Sequence, residues 1–477
     1  MSVNGGGEMA NRREFNKILN PLDILVTAFG AMIGWGWVVS TGSWLSRAGV
    51  FGTVLGFVIG GVMIFFVGLT YSELTAAMPR AGGVRVFSYK AFGPIGSYVC
   101  SWFMILSYIG VVCFEACSLP TVIQYVFPGF LQGYLYSVAG FDIYATWLIL
   151  ALILAVLITY INIRGIKAAA VLQTVLTVII AVVGIMLVAA SAVNGHADNL
   201  SGQLFVGEGG YGKIKNMLSV AVIAPFFLFG FDVIPQVAEE INVPLKKTGR
   251  LMLLSIILAV GFYGLVVSAV GFVMNPSDIA SSLDQNGLVT AEAMAKAFSS
   301  ETMAKVLIIG GVCGIITSWN SFLMGGSRAL FSMAEAHMIP PAFGKLHEKY
   351  KTPTNAIVLV GAYSIISVFF GRTMLVWISN VASFACCIAY CMVAAAFIVL
   401  RKRMPDMPRP YKVKHFLGVG LIAAIMAGIM AILYLVPGSG CSFTGQEYAI
   451  AVIWGVLGFF FAVASKIKYG SRFGLEE

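Results

Sequence analysis

The sequence has little charge for its length. Only 11% of its 477 residues are charged, whereas a soluble globular protein carries about 25%. A soluble chain of this size needs a polar surface that the composition does not supply, because 59% of the residues are hydrophobic and the mean hydropathy is +0.90. The composition therefore indicates an all-α polytopic membrane protein, since the strands of a membrane barrel show short alternating segments instead.

Other signatures are also missing. The eight cysteines show no CxxC or Cys/His metal spacing, and seven of them lie in apolar runs, which predicts packing residues and neither a metal nor a cofactor. The polar first twenty residues lack the apolar core of a removable signal peptide, so we expect the first span to act as the targeting signal. The net charge of +9 is spread between apolar runs rather than clustered, which argues against nucleic acid as a partner.

Twelve apolar segments are long enough to cross a bilayer, which takes about 20 residues each. They lie near 22–46, 50–76, 95–126, 143–163, 168–193, 215–240, 250–274, 304–334, 354–371, 373–400, 416–436 and 447–466. The connection 275–303 is polar but compatible with helix, and we expect a lid or gate there.

The basic residues favour one side of these segments. Alternate connections and both ends of the chain hold 24 of the 30 Lys and Arg residues, which leaves six for the other side. Those six are Arg47, Lys213, Lys215, Lys296, Lys305 and Arg372. Because short cytoplasmic loops are enriched in Lys and Arg, the bias predicts that both termini are cytoplasmic in a plasma (cell inner) membrane.

Two of the apolar segments contain poor helix formers. GAMIGWGWVVSTG (30–42) has four glycines, and APFFLFGFDVIPQVAEE (224–240) has Pro225 and Pro235 on either side of Gly230. The glycines of the first stretch have two explanations, close helix packing or an unwound segment that binds a solute. The two stretches lie in the first and sixth segments, which correspond in a chain of two five-helix halves, and this favours a transporter site near the membrane midplane.

Six stretches resemble motifs of the amino acid–polyamine–organocation (APC) transporter superfamily, in the family's order. They are GAMIGWG (30–36), YSELTAAMPRAGGVRVFSYKAFGP (71–94), NIRGIKAAAVLQ (162–173), FGFDVIPQVAEEINVP (229–244), SRALFSMAEAHMIPPAFGKLHEKYKTP (327–353) and RKRMPDMPRPYKV (401–413). The resemblance runs over nearly the whole chain.

The resemblance implies a leucine-transporter-like fold of 12 transmembrane helices with a five-plus-five inverted repeat and broken helices 1 and 6. The expected parts are a cytoplasmic N-terminal segment (1–20), a ten-helix core (21–400), a basic cytoplasmic loop (401–415), two peripheral helices (416–467) and a cytoplasmic tail (468–477). The two repeats of the core cover about 21–193 and about 215–400. Alternating access to a central site is implied as well.

The resemblance also implies where a substrate binds. In relatives the first-helix glycine motif holds the substrate carboxylate, the sixth-helix backbone before the GFD motif receives the amine, and the aromatic residue of GFD often acts as a gate. The matching residues here are Met32, Gly34, Trp35, Gly36, Phe226, Phe227, Phe229 and Phe231.

The chain departs from its relatives at two positions, one in the predicted substrate site and one in the fifth helix. Trp35 stands where relatives usually have Ser, Thr or Ala, so its indole either forms part of the pocket, which favours a small or cationic substrate, or packs against a neighbouring helix. Ile180 takes the place of a fifth-helix lysine that some proton-coupled relatives carry. None of the four histidines lies in a predicted span.

Two acidic residues lie deep in apolar runs, and such residues are functional candidates in a membrane. Asp232 is predicted either to cap the second half of the sixth helix or to take part in coupling. For Glu115 the sequence leaves three alternatives open: it neutralises a substrate ammonium, it carries a coupling proton, or it faces the external vestibule. Thr317, Ser318 and Ser321 are the candidate ligands of a sodium site between the first and eighth helices.

The leading functional hypothesis is a secondary active transporter that moves an amino acid across the plasma membrane, either coupled to protons or as an exchanger. The alternative is a permease for a small amine or organic cation, such as a polyamine or an ethanolamine-like compound, with Trp35 and Glu115 shaping a cation site. A third hypothesis is a nutrient receptor that does not transport. An enzyme is disfavoured because no nucleophile–base pair occurs. The expected partners are the substrate, the lipid bilayer and a proton or sodium ion.

Overall fold

The computed structural model describes residues 15–127, 129–285, 287–371, 373–439 and 441–475. Within these residues, 11 helices are long and apolar enough to cross a membrane, and a shorter apolar helix covers Thr354–Phe370. The ninth predicted segment corresponds to this shorter helix. The prediction of an all-α polytopic membrane protein is therefore confirmed.

The helices of the first half are α1 (Pro21–Met32), α2 (Gly36–Val39), α3 (Thr41–Ala77), α4 (Gly83–Val126), α5 (Ala145–Ile163) and α6 (Ile166–Asn194). Those of the second half are α7 (Gly209–Leu228), α8 (Val233–Gln236), α9 (Leu245–Val273), α10 (Pro276–Gln285), α11 (Val289–Phe298), α12 (Glu301–Glu335), α13 (Thr354–Ser367), α14 (Thr373–Arg403), α15 (Phe416–Leu435) and α16 (Gly445–Tyr469).

Helix α1 begins with a complete cap. The Asn20 side chain accepts hydrogen bonds from the N–H groups of Leu22 and Asp23, and Asp23 in turn accepts one from the Asn20 N–H. Pro21 occupies the first helical position, where its missing N–H costs nothing. The sequence thus fixes the start of the segment whose interruption, 12 residues later, forms part of the candidate site.

Two of the long elements are interrupted at a glycine. Element α3 consists of two helices, the end of the first segment and the second segment, which meet at Gly49 with a φ of +77°; after it the N–H groups of Val50 and Phe51 donate to the carbonyls of Gln203 and Leu204 and not within a helix. Helix α4 begins at Gly83 and bends at Gly93, with a φ of +75°, so most of the 71–94 stretch is helical. Both bends fall on glycine because other residues disfavour positive φ.

A short antiparallel hairpin interrupts the helical pattern. Strands β1 (Tyr134–Val138) and β2 (Phe141–Tyr144) pair between α4 and α5. The division of the sequence into apolar segments did not predict this hairpin. By contrast, the polar connection at 275–303 is helical, as α10 and α11, which agrees with its helix-permissive composition.

The bundle has two distinguishable faces. Both described ends of the chain contact the last turn of α12, because Phe15 packs on Phe331 and the Gly474 N–H donates to the Ala336 carbonyl. We call this end of the bundle the terminal face. Helix α12 has 35 residues and is therefore about 50 Å long, so its first turn, next to α11, lies at the opposite end. We call that end the α10–α11 face.

Candidate functional site

The interruptions of the first and sixth apolar segments meet inside the bundle. Residues 33–35 separate α1 from α2, and residues 229–232 separate α7 from α8. Gly230 lies so close to Ala31 that a side chain on Gly230 would approach the Ala31 Cβ to 2.7 Å. The Tyr263 hydroxyl, from α9, donates to the Met32 carbonyl at 3.0 Å. The sequence prediction of paired breaks therefore corresponds to one continuous region of the structure.

A narrow cavity of about 20 Å³ lies at this meeting point. That volume accommodates about one water-sized group. Most of the predicted substrate-binding residues line it, together with side chains from α4, α9 and α12. The lining consists of Ala31, Met32, Gly34, Trp35, Gly36, Val111, Phe114, Glu115, Phe226, Phe227, Tyr263, Ser318 and Phe322.

The other two predicted site residues lie elsewhere. Phe229 is buried and packs edge-on against Phe226 and Phe322, with ring centroids 5.4 Å apart in each case. Phe231 is also buried and contacts Tyr71 and Tyr390 at 5.5 and 5.7 Å. Phe229 therefore supports the cavity from behind, and Phe231 lies among residues of α3 and α14.

Glu115 projects from α4 into the interruption of the first segment. Its side chain is buried, with 2% of its surface exposed, and it lines the cavity. The carboxyl group lies beside the Ser318 hydroxyl and the Trp35 backbone N–H. Its Oε2 atom has no hydrogen-bond partner among the described residues. A buried carboxylate oxygen without a partner is costly unless a ligand, proton or water completes it.

The two glycines flanking Trp35 give space to these neighbours. A side chain on Gly34 would collide with Oε1 of Glu115, and one on Gly36 would collide with the Phe227 ring. Glycine at these positions thus permits both the unwound backbone and close side-chain approach. The two explanations that the sequence left open for these glycines, packing and an unwound segment, hold together in the structure.

Trp35 has two kinds of neighbour. Its six-membered ring packs onto Gly311 of α12, where any side chain would collide with it. The same residue lines the narrow cavity and also a larger space of about 460 Å³. Trp35 is therefore both a helix-packing residue and part of the cavity wall.

The larger space is a vestibule that reaches the protein surface. Its lining includes the exposed residues Ser43, Arg47 and Val376. The vestibule and the narrow cavity share four lining residues, which form the partition between them. The partition consists of Trp35, Phe114, Phe226 and Phe227.

Asp232 anchors the interruption of the sixth segment. Its Oδ1 accepts hydrogen bonds from the Gly230 N–H at 2.8 Å and from the Tyr390 hydroxyl at 2.9 Å. The Tyr108 hydroxyl donates to the Asp232 carbonyl at 2.9 Å. The Asp232 side chain thus ties the unwound backbone to α14, and the Asp232 carbonyl ties it to α4, while the side chain does not bond the first turn of α8.

The candidate sodium ligands divide between two neighbourhoods. The Thr317 hydroxyl donates to the carbonyls of Gly30 and Gly314, and the Ser321 hydroxyl donates to the Thr27 carbonyl at 3.3 Å. Ser318 turns instead toward Glu115. The three hydroxyls all belong to α12, but they do not surround one point as the ligands of a single ion would.

Sequence reasoning missed several polar residues beside α1. Gln173 and Thr177 of α6 both contact the Val26 carbonyl at 3.4 Å. Gln173 also accepts a hydrogen bond from the Asn320 side chain at 3.0 Å. Gln173 is the last residue of NIRGIKAAAVLQ, and Thr177 follows it by one helical turn. The sequence could have pointed to both, because a polar side chain that is buried in an apolar segment needs a hydrogen-bond partner.

The terminal face is closed by buried ion pairs. Arg328 of α12 pairs with Glu240, with Nε and Oε1 2.8 Å apart and both side chains buried. Glu73 of α3 pairs with Arg401 and Arg409 at 2.7 and 3.0 Å. These buried pairs form a charge network at this end of the bundle.

A helical membrane bundle whose two interrupted helices meet at a cavity beneath a vestibule belongs to the class of solute transporters. The family model described as amino acid permease matches residues 19–460. The chain therefore belongs to the amino acid permease family, which confirms the resemblance to the APC superfamily. Members of the family are permeases and not enzymes.

Similar proteins have transport functions. A branched-chain amino acid permease of Bacillus subtilis is 26% identical over 420 residues, which cover 85% of this chain and 84% of that protein. A methylthioribose transporter of the same organism is 25% identical and covers 93% of both chains. An aspartate-proton symporter of B. subtilis is 23% identical over 88% of this chain and 80% of that protein. The protein is thus a multi-pass membrane transporter of small molecules.

Proposed function

We propose that this protein is a secondary active transporter that carries an amino acid across the plasma membrane by alternating access. The observation that carries the proposal is the meeting of the two interrupted helices at the cavity that Glu115 lines. An interrupted helix exposes N–H and C=O groups that a zwitterion can satisfy at its two ends. Met32, Gly34, Trp35, Gly36, Phe226 and Phe227 would surround the substrate, with Phe229 and Phe231 behind them.

The distribution of open and closed regions supports alternating access. The vestibule descends from the surface to the partition of Trp35, Phe114, Phe226 and Phe227, while buried ion pairs close the terminal face. In this account the partition opens to admit the substrate. The pairs Arg328–Glu240 and Glu73–Arg401 separate when the substrate leaves on the other side.

We place the terminal face in the cytoplasm because 24 of the 30 Lys and Arg residues lie on its side of the predicted spans. The transporter core would be residues 21–400 as two inverted repeats, about 21–193 and about 215–400. The peripheral helices 11 and 12 (416–467), the basic loop (401–415) and the terminal segments (1–20 and 468–477) would lie outside that core.

Coupling to protons is favoured over coupling to sodium. The cavity contains a carboxylate, Glu115, with one oxygen that lacks a partner. The hydroxyls of Thr317 and Ser321 already donate to α1 carbonyls, so those carbonyls do not need a cation. A relative with 23% identity is an aspartate-proton symporter, which makes proton coupling a reasonable proposal for this chain too.

A small amine or organic cation is the second candidate substrate class. The free Oε2 of Glu115 and the aromatic rings of the partition form surroundings that favour an ammonium group. The two candidates differ in whether the substrate brings its own carboxylate.

Uptake into proteoliposomes distinguishes these candidates. Each of the twenty amino acids and the amine obtained by decarboxylating it are tested for competition against a radiolabelled amino acid mixture. We expect amino acids to compete and their amines to compete at least about tenfold more weakly. Uptake that amines inhibit as well as the parent amino acids would favour the amine permease, and the absence of any uptake would contradict transport.

A further inference from the structure

We propose that Glu115 occupies the substrate-carboxylate position in the empty transporter, and that an incoming amino acid displaces it and thereby makes it take up a proton. This inference rests on the proposed amino acid transport function. Besides the residues that bind the substrate, it identifies a side chain, that of Glu115, that competes with the substrate carboxylate for the same position.

The position of the carboxylate is the first observation. Glu115 reaches from α4 into the interruption of the first segment, where its Oε1 lies at the place that a side chain on Gly34 would take, beside the Trp35 N–H. The Trp35 N–H belongs to the interrupted backbone that the proposed function assigns to the substrate carboxylate. The protein's own carboxylate therefore already makes the contact that a substrate carboxylate would make.

The size of the cavity is the second observation. About 20 Å³ is enough for one water-sized group and too little for a carboxylate beside that of Glu115. A substrate carboxylate can reach the Trp35 N–H only after the Glu115 side chain has moved. The Oε2 atom of Glu115 has no hydrogen-bond partner among the described residues, so rotation of the side chain away from Trp35 breaks few contacts.

Charge makes this displacement dependent on protons. Two carboxylates within a few ångströms in a buried site repel, and the usual result is that the pair holds one proton. Ser318 has a hydroxyl and no charge, and Tyr263 of α9 is the one other titratable side chain among the described residues that line the cavity. The Tyr263 hydroxyl is engaged with the Met32 carbonyl. Glu115 is therefore the group that receives the proton, from water in the vestibule.

Calorimetry of the purified full-length protein tests the inference. The amino acid that binds best among the twenty is titrated at about pH 9, where Glu115 is ionised in the empty protein, in two buffers of different ionisation enthalpy, which gives the number of protons taken up on binding. We expect about one proton per amino acid for the wild type and none for Glu115→Gln. Glu115→Ala removes the competitor, so we expect it to bind the amino acid at least about tenfold more tightly at about pH 8.

A matched variant controls for nonspecific effects. Cys113 lies two residues from Glu115 on α4 and outside both linings, and its thiol donates to the Tyr363 carbonyl, so Cys113→Ala should keep the wild-type proton count. Proton uptake that persists in Glu115→Gln, or a wild type that binds without taking up a proton, would overturn the inference and leave the transport proposal intact. If the Glu115 variants do not fold, the wild-type proton count alone decides.

The remaining outcomes are also decisive. If decarboxylated amines bind and amino acids do not, Glu115 is a permanent partner of the substrate ammonium and the displacement account is wrong. If neither class binds, the proposed function itself fails, and the inference fails with it.

Discussion

Glu115 of α4 lies against the interruption that contains Trp35, and its Oε1 fills the space that a side chain on Gly34 would need. The contact lies where α1 and α2 fail to form one continuous helix, and it places a buried carboxyl group beside the exposed backbone. A polar side chain beside a buried backbone N–H lowers the cost of leaving that N–H outside a helix in an apolar bundle.

Gly34→Ala tests the close approach of Glu115 to the interrupted backbone. The added methyl group would take the place of Oε1 of Glu115, which is also the space that the proposed function gives to the substrate carboxylate. We expect proteoliposome uptake to fall at least about tenfold because neither carboxyl group fits beside the methyl group, and overpacking to cost about 1–3 kcal/mol of stability. Gly261→Ala is the control, because a side chain at Gly261 meets nothing within 4 Å. Equal uptake by the two variants would contradict the proposed geometry.

Trp35→Ala tests the partition between cavity and vestibule. Removal of the indole joins the two spaces, so larger amino acids should be accepted. Since one methylene group changes discrimination about 10- to 200-fold, we expect the uptake ratio of bulky to small amino acids to rise about tenfold or more. Trp37→Ala removes an indole that packs on Phe262 at 5.4 Å, outside both linings. That control should lower the melting temperature without changing the ratio; a similar ratio change in both variants would count against a role of Trp35 in selectivity.

Glu240→Gln tests the buried ion pair at the terminal face. It leaves the Arg328 guanidinium buried without its anion, which typically costs about 3–5 kcal/mol, so we expect a clear drop in melting temperature. The double variant Glu240→Leu with Arg328→Met removes both charges and should recover most of that loss.

An exposed ion pair is the control for Glu240→Gln. Asp278 and Lys296 form a partly exposed pair on α10 and α11, and Asp278→Asn should cost about 0–1 kcal/mol. A Glu240→Gln variant as stable as Asp278→Asn would show that the pair does not hold the terminal face closed.

Replacement of sodium by choline tests the coupling ion. The Thr317 and Ser321 hydroxyls donate to carbonyls of α1, which leaves those oxygens satisfied without a metal. We expect the initial uptake rate to change by less than about twofold on replacement of sodium. Sodium-dependent uptake that Thr317→Val abolishes would mean that these oxygens bind the ion after all.

Much of this architecture could be predicted from local sequence. The glycines at 30–36 and the prolines around Gly230 locate both interruptions, because these residues are poor helix formers in otherwise apolar runs. The boundary between the first two segments was also predictable, since the helix is interrupted at Gly49, in the gap between 22–46 and 50–76. The hairpin at 134–144 is too short to give a clear alternating pattern.

The partners within the site were harder to predict than the breaks. Glu115 was recognised as a buried acid, yet its contacts with Trp35 and Ser318 depend on how α4 and α12 rotate against α1. An apolar stripe normally reveals that rotation, but helices that are apolar on every side lack one. The roles of Gln173 and Thr177 were missed for the same reason.

Uptake driven by a pH gradient in proteoliposomes, compared between the wild type and Glu115→Gln, tests the central claim most directly. We expect the wild type to accumulate an amino acid when the interior is alkaline, and Glu115→Gln to lose that accumulation while it still exchanges internal for external substrate. Accumulation by Glu115→Gln equal to that of the wild type would contradict the account.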